Sequence, residues 1–209
     1  MTPTREEMQH ALEKRHGAEL QQKLSKAKVA VCGLGGLGSN IAVALARAGV
    51  GRLCLIDFDR VDISNLNRQQ YKANQIGRYK TEALCENLSE IAPYIEAAIS
   101  TTRITRENAE GLLRDADIIC EAFDAAESKA MLTDAVLTRL PDKYLVAASG
   151  MAGLGDANDI RTRKITERFY LCGDEVSEVA EGLGLLAPRV MLCAAHQAHK
   201  VLQIIADKF

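Results

Sequence analysis

KVAVCGLGGLGSNIAVALARAG, residues 28–49, decides the fold. Lys28–Cys32 is a short apolar run of strand type that passes straight into Gly33-Leu-Gly35-Gly36-Leu-Gly38. Ser39 to Ala48 follows, rich in Ala and Leu, which are strong helix formers; Ser39 is a suitable N-cap and Gly49 a suitable stop. Arg52-Leu-Cys-Leu-Ile-Asp57 then reads as a second strand. Strand, glycine turn, helix and strand in such close succession are the building unit of a doubly wound sheet.

The alternation continues outward in both directions. Residues 5–27 form a polar helical segment with Leu12, Leu20 and Leu24 as its apolar positions. Lys80 to Ile91 carries Ala83, Leu84, Leu88 and Ile91 at helical spacing and stops before Pro93. Ile95–Ser100 reads as a strand, Arg106–Arg114 as a short helix and Asp117–Phe123 as a buried strand. Ala126–Leu140 is a helix stopped by Pro141, and Lys143–Ala148 is a further strand. Asp159–Thr166 alternates charged and apolar residues, as an edge or antiparallel strand does. Residues 173–187, Asp174 included, are acidic and glycine-bearing, the composition of a mobile surface loop, and 188–206 form a closing apolar helix. The expected architecture is α/β: a Rossmann-like mixed, mainly parallel sheet with helices on both faces. It forms one domain over 1–209, with a short N-terminal helix and no zinc domain.

Composition narrows the function. The 209 residues carry 26 Lys+Arg against 28 Asp+Glu, a net charge of −2, and are 47% hydrophobic. Such a chain builds one self-sufficient core and is too apolar for disorder. No apolar run approaches the ~20 residues of a membrane span, and the N-terminal stretch lacks the apolar core of a signal peptide, so a cytoplasmic protein is expected. Near-neutral charge, no Trp and 4% aromatics supply neither the basic footprint nor the stacking platforms of a nucleic-acid partner. Six cysteines, at 32, 54, 85, 120, 172 and 193, form no CxxC pair, so neither zinc nor disulfides are expected.

Gly33, Gly35 and Gly38 fit GxGxxG between a strand and a helix, where backbone N–H groups approach a phosphate. Asp57, closing the second strand, stands where a ribose hydroxyl is gripped. To this point NAD and ATP both remain open. The next stretch is Asp57-Phe-Asp59-Arg-Val-Asp62-Ile-Ser-Asn65-Leu-Asn67-Arg68-Gln69-Gln70. A second acid at 59, then Asn65, Arg68 and Lys80, exceed what a dinucleotide needs. They suit two or three phosphates whose charge must be offset in a transition state. An NAD-dependent oxidoreductase, the alternative, leaves Asn65, Arg68, Lys80 and Asp124 without an obvious task.

KVAVCGLGGLGS, GVGRLCLIDFDRVDISNLNRQQ, Lys80 and Asp124 resemble the ThiF/MoeB/HesA superfamily, the adenylating core of ubiquitin-activating-type enzymes, from about residue 20 onward. The length and the segments YLVAASGMAG and FYLCGD are similar to the short ThiF-like sulfur-carrier adenylyltransferases of thiamine biosynthesis. The resemblance implies that Mg²⁺ and ATP adenylate the C-terminal glycine of a ubiquitin-like sulfur carrier protein ending in Gly-Gly, releasing pyrophosphate, in thiazole synthesis. By motif it assigns Gly35, Gly36, Gly38 and Gln69 to the nucleotide, Asp57 to the ribose, and Asp59 and Asn65 to the phosphates. Arg68 and Lys80 bind and stabilise the triphosphate, Asp124 holds Mg²⁺, and Arg68, Lys80, Asp124 and Asp59 carry the catalytic roles. Asp124 can also cap the helix starting near Ala126, which is compatible with that role. A carboxylate attacking the α-phosphorus requires positioning and charge neutralisation and no base. The resemblance further implies a homodimer in which an N-terminal arginine, Arg5 or Arg15, completes the neighbouring site.

The departures from the family are informative. Larger bacterial members hold zinc with two CxxC pairs, whereas Cys172 stands alone, so no zinc is expected. Residues 173–187 lack the cysteine that some relatives use for sulfur transfer, and Cys172 reads as a structural thiol. His196 and His199, at i and i+3, have no third ligand nearby and read as surface or packing residues. The 173–187 stretch is expected to cover the carrier's extended tail. An ATP-dependent tRNA-base dehydratase of the same superfamily is a further alternative, against which a net charge of −2 counts. A degenerate, non-enzymatic subunit would have no need of Arg68, Lys80 and Asp124 together.

Overall fold

In the strand β1 (Lys28–Cys32) alternate side chains belong to different cores: Val29 and Val31 to one apolar cluster, Ala30 and Cys32 to another. A strand buried on both faces sits inside a sheet that is covered twice. The computed structural model, which describes residues 2–182 and 184–208, places it there. The other strands are β2 (Arg52–Ile56), β3 (Glu96–Ser100), β4 (Ile118–Glu121), β5 (Tyr144–Ala148), β6 (Arg161–Lys164) and β7 (Phe169–Gly173). They form one seven-stranded sheet in the order β3-β2-β1-β4-β5-β7-β6. Every pair is parallel except β6 with β7 at the edge. The Rossmann-like, mixed, mainly parallel α/β sheet read from the sequence is the one that forms.

Seven helices cover it: α1 (Arg5–His16), α2 (Ala18–Lys26), α3 (Gly36–Arg47), α4 (Lys80–Ile91), α5 (Ala109–Leu113), α6 (Ala126–Arg139) and α7 (Ala187–Lys208) among the described residues. On one face Leu24, Ile41, Leu45, Leu84, Leu88 and Ile205 pack with Val29 and Val31. On the other, Leu113, Leu132 and Val136 of α5 and α6 pack against Ala30, Cys32 and Ile119.

Several boundaries differ from the sequence reading, each for a local reason. The 5–27 segment is two helices, because Gly17 at φ +93° turns the chain between them. A capping box closes the start of α1, with the Glu7 amide donating to Thr4 Oγ1 (3.2 Å) and the Thr4 amide to Glu7 Oε2 (2.7 Å). Ser39 is not the N-cap of α3. The helix starts at Gly36 on Gly35, and the Ser39 hydroxyl donates back to the Gly35 carbonyl at 2.6 Å. Strand β7 was not anticipated. Phe169–Gly173 is a strand by lying between β5, to which it runs parallel, and β6, to which it runs antiparallel. The 173–187 stretch does not start as free chain: Asp174 is buried in an ion pair with Arg189 of α7 (2.6 Å; side chains 5% and 7% exposed).

Candidate active site

The C-terminal ends of β1, β2, β4 and β5 open onto a cavity of about 690 Å³, the edge at which parallel α/β sheets bind ligands. Gly33 reaches φ +89°, and a Cβ there would stand 2.8 Å from the Ala122 carbonyl oxygen, so the glycine turn rides directly on the turn after β4. Gly38 serves packing: a Cβ on it would overlap the Gly33 carbonyl, and it is not among the residues lining the cavity. Gly35 and Gly36 do line it. The nearest atom to a Cβ at Gly35 is Gln69 Nε2 at 3.8 Å, whereas at Gly36 Val190 Cγ1 stands at 2.9 Å.

Asp57 couples this turn to the next segment. Its Oδ2 accepts from the Leu34 amide (2.6 Å) and its Oδ1 from the Asp59 amide (2.8 Å). The buried Tyr71 hydroxyl donates to the Leu34 carbonyl at 2.7 Å, and burial, with Asp57 and Asp59 nearby, pushes that phenol up. Asp59 receives Lys80 Nζ at 3.0 Å. Asn65 Oδ1 accepts from the Asp62 amide (3.0 Å) and closes a short 3₁₀ turn over Ile63–Asn65. Asn40 of α3 donates to both the Gly36 carbonyl (2.6 Å) and the Arg68 carbonyl (3.0 Å), pinning this arm to the glycine helix. Arg68 Nη1 donates to Ser64 O (3.2 Å) and Asn67 Oδ1 (2.8 Å). Its Nε and the neighbouring Gln69 Oε1 are buried without a hydrogen-bond partner among the described residues. A buried orphan donor and acceptor beside a glycine turn call for a polar partner, a water or a ligand.

Asp124 lies exposed in the turn between β4 and α6. It does not cap α6, whose N-cap is Ala125 with no side-chain bond, so the capping alternative is not realised. Of the residues expected at the site, Gly35, Gly36, Asp57, Asp59, Asn65, Arg68, Gln69, Lys80 and Asp124 all line this one cavity, and Gly38 alone does not. The sequence reading missed Glu121, Lys129 and the pair Arg103–Phe58. The Arg103 guanidinium stacks 3.8 Å over the Phe58 ring, and both line the cavity. Glu121 was detectable as a lone acid inside the apolar run IICEAF, residues 118–123.

Residues 8–208 match the ThiF family. The chain belongs to the ThiF family. This ThiF-family chain is 30% identical over 205 residues to the adenylyltransferase and sulfurtransferase uba4 of Aspergillus fumigatus, covering 91% of this chain and 41% of that protein. It is 37% identical over 137 residues to the adenylyltransferase and sulfurtransferase MOCS3 of Anopheles gambiae, covering 65% of this chain and 30% of that protein. The chain thus spans less than half the length of these curated relatives. Among solved structures, the tRNA N6-threonylcarbamoyladenosine dehydratase TcdA of E. coli, in complex with ATP, superposes with a TM-score of 0.88 at 21% identity. That match covers 100% of this chain and 98% of that one. At that identity the likeness is one of fold.

Among the carboxylates lining this cavity (Asp57, Asp59, Asp124 and Glu178), Asp59 is paired with Lys80, and Asp124 is exposed. No group of three or more His, Cys, Asp or Glu able to hold a metal occurs among the described residues. One or two carboxylates are the donor set that Mg²⁺ completes with phosphates and water, so the residues fit that ion. Cys172 is buried, and burial pushes its thiol up to about 11. His196 Nδ1 lies 3.0 Å from Thr162 Oγ1, and His199 is exposed. No helix among the described residues is long and apolar enough to cross a membrane.

Proposed function

We propose that this chain uses Mg²⁺ and ATP to adenylate the C-terminal glycine of a ubiquitin-like sulfur carrier protein ending in Gly-Gly, with release of pyrophosphate. One observation carries the reading: Gly35, Gly36, Arg68, Lys80 and Asp124, from four separate segments, line the same cavity. The open backbone at Gly35 receives phosphate. Asp57 has two of its four acceptor sites occupied by amides, which leaves capacity for ribose hydroxyls. A carrier carboxylate oxygen attacks the α-phosphorus, the bond from that phosphorus to the bridging oxygen breaks, and pyrophosphate leaves with the electron pair. No proton moves. The protein's work is alignment and charge compensation, and Arg68 and Lys80 are the cations that supply it. Mg²⁺ held by Asp124 neutralises phosphate charge when bound.

The relatives named adenylyltransferase and sulfurtransferase support this class of reaction. Thiazole synthesis for thiamine is the finest part of the reading and rests on the resemblance to short ThiF-like proteins alone. A homodimer completed by Arg5 or Arg15 belongs to the same reading, as does a cytoplasmic setting, which suits six free thiols. The deciding experiment is ATP–pyrophosphate exchange by the purified protein with Mg²⁺, with and without a Gly-Gly-ended carrier. Exchange that requires the carrier's terminal glycine is expected. ATP binding without exchange on any such carrier would overturn the reading in favour of a dehydratase or a non-enzymatic subunit.

A further inference from the structure

A carboxylate lies sealed under the catalytic edge of the sheet. Glu121, the last residue of β4, has a side chain 1% exposed. Its Oε1 accepts from the Phe123 amide at 2.7 Å, the peptide next to Asp124, and its Oε2 accepts from the Ala148 amide at 3.5 Å. Lys129, one turn into α6, donates to both carboxylate oxygens at 3.1 Å and to the Ala148 carbonyl at 3.0 Å. An ammonium has three donors, and these three acceptors occupy them, although Lys129 lines the cavity. From α7, Gln197 Nε2 donates to the Glu121 carbonyl (2.9 Å) and the Val146 carbonyl (3.1 Å), tying the ends of β4 and β5 together. Burial pushes the Glu121 carboxyl up and Lys129 opposes this. Burying such a pair costs more than burying two apolar side chains of similar size, so stability alone does not account for it. The turn it holds is the one on which Gly33 rests and from which Asp124 projects into the cavity.

We propose that Glu121 is a positioning residue that fixes the Asp124 turn through the Phe123 amide, and that Lys129 is its counter-ion rather than a phosphate ligand. This rests on the adenylation reading. A neutral amide can keep the contact that holds the turn without Lys129, its oxygen accepting from the Phe123 amide. An apolar side chain cannot.

Two double variants test the inference, Glu121→Gln with Lys129→Met and Glu121→Leu with Lys129→Met. Each is followed by thermal shift with ATP in EDTA, by thermal shift with Mg²⁺-ATP, and by exchange kinetics. The Leu/Met pair is expected to melt normally and keep its shift with ATP in EDTA. It should lose the additional Mg²⁺-dependent shift, and kcat should fall about 10- to 100-fold with KM for ATP little moved. The Gln/Met pair is expected to restore both readouts. Both pairs matching wild type would overturn the inference, and so would a folded Gln/Met pair as impaired as the Leu/Met pair. Should the Leu/Met pair not fold, the Gln/Met pair is read against Lys129→Met alone, and failure of the amide to restore what that single substitution removes overturns it equally. A wild-type protein unmoved by Mg²⁺-ATP overturns instead the adenylation reading, and the inference with it.

Discussion

Lys80 and Asp59 are joined twice: the Lys80 ammonium lies 3.0 Å from Asp59 Oδ2, and the Lys80 amide donates to the Asp59 carbonyl at 2.9 Å. The lysine is buried at the start of α4 while its partner is 49% exposed. A cation at a helix N-terminus opposes the helix dipole, so the fold gains little from having it there and an incoming anion gains much. Lys80→Met is therefore expected to leave thermal unfolding near wild type. Exchange should slow by about 10²–10³, or roughly 2.7–4 kcal/mol of transition-state stabilisation. Exchange kinetics alongside a melting curve check both halves.

Arg68→Ala and Asp124→Ala are expected to cost about 2.7–4 kcal/mol each in exchange. Neither should unfold the protein. Arg68 carries a buried Nε with no partner among the described residues, and Asp124 is exposed. Urea midpoints beside rates separate the two effects, and near-wild-type exchange in both variants would mean that the site lies elsewhere.

Two glycines of one turn should respond oppositely to the same methyl group. Gly38→Ala drives Cβ into the Gly33 carbonyl and is expected to destabilise by about 1–3 kcal/mol or more, read by urea denaturation. Gly35, with 3.8 Å to its nearest neighbour, has room for the Ala methyl. That methyl is expected to weaken ATP binding, measured by calorimetry, with a smaller loss of stability than Gly38→Ala.

Acid should loosen the Asp174–Arg189 clasp within a defined window. Burial disfavours the Asp174 carboxylate, but hydrogen bonds from the Ser177 and Val176 amides, the Ser177 hydroxyl and Arg189 outweigh it and hold the group at about 2. An unfolded Asp titrates near 3.9. The folded value is the lower one, so the contribution is complete above pH ~4 and is lost as pH falls toward ~2, worth about 2 kcal/mol. Stability curves of wild type and Asp174→Asn are expected to converge over that interval.

Cys172 is expected to be inert. Its buried thiol, pushed up to about 11, yields almost no thiolate at neutral pH. Iodoacetamide should leave it unmodified in the folded protein, and Cys172→Ala should retain exchange. Rapid alkylation at this position, mapped by mass spectrometry, would reassign it to chemistry.

The parts of this fold that announce themselves in sequence are those whose cause is local. Gly33 and Gly49 stand where the backbone reaches φ +89° and +86°, and the apolar runs of β1, β2, β4 and β5 report burial on both sides of the sheet. The site residues from Asp57 to Lys80 were legible because their charges crowd one sheet edge. What escaped depends on partners far away in the chain. Strand β7 exists because β5 and β6 flank it, and Asp174 looks solvated until Arg189 closes on it. Gly38 fits the phosphate-turn pattern, yet its reason for being glycine is the carbonyl of Gly33, a packing constraint that spacing alone does not distinguish from ligand contact.

The Asp174–Arg189 clasp spans the chain between β7 and α7. A protease cut at Val179 would leave Asp174 on one fragment and Arg189 on the other, with Arg189 also donating to the Gly155 and Asp156 carbonyls at 2.5 and 2.7 Å. Helix α7 would still hold Val201, Ile204 and Ile205 in the core that α3 shares. The nicked protein is therefore expected to run on gel filtration as one two-fragment particle and to separate only when denaturant or strong acid opens that seam.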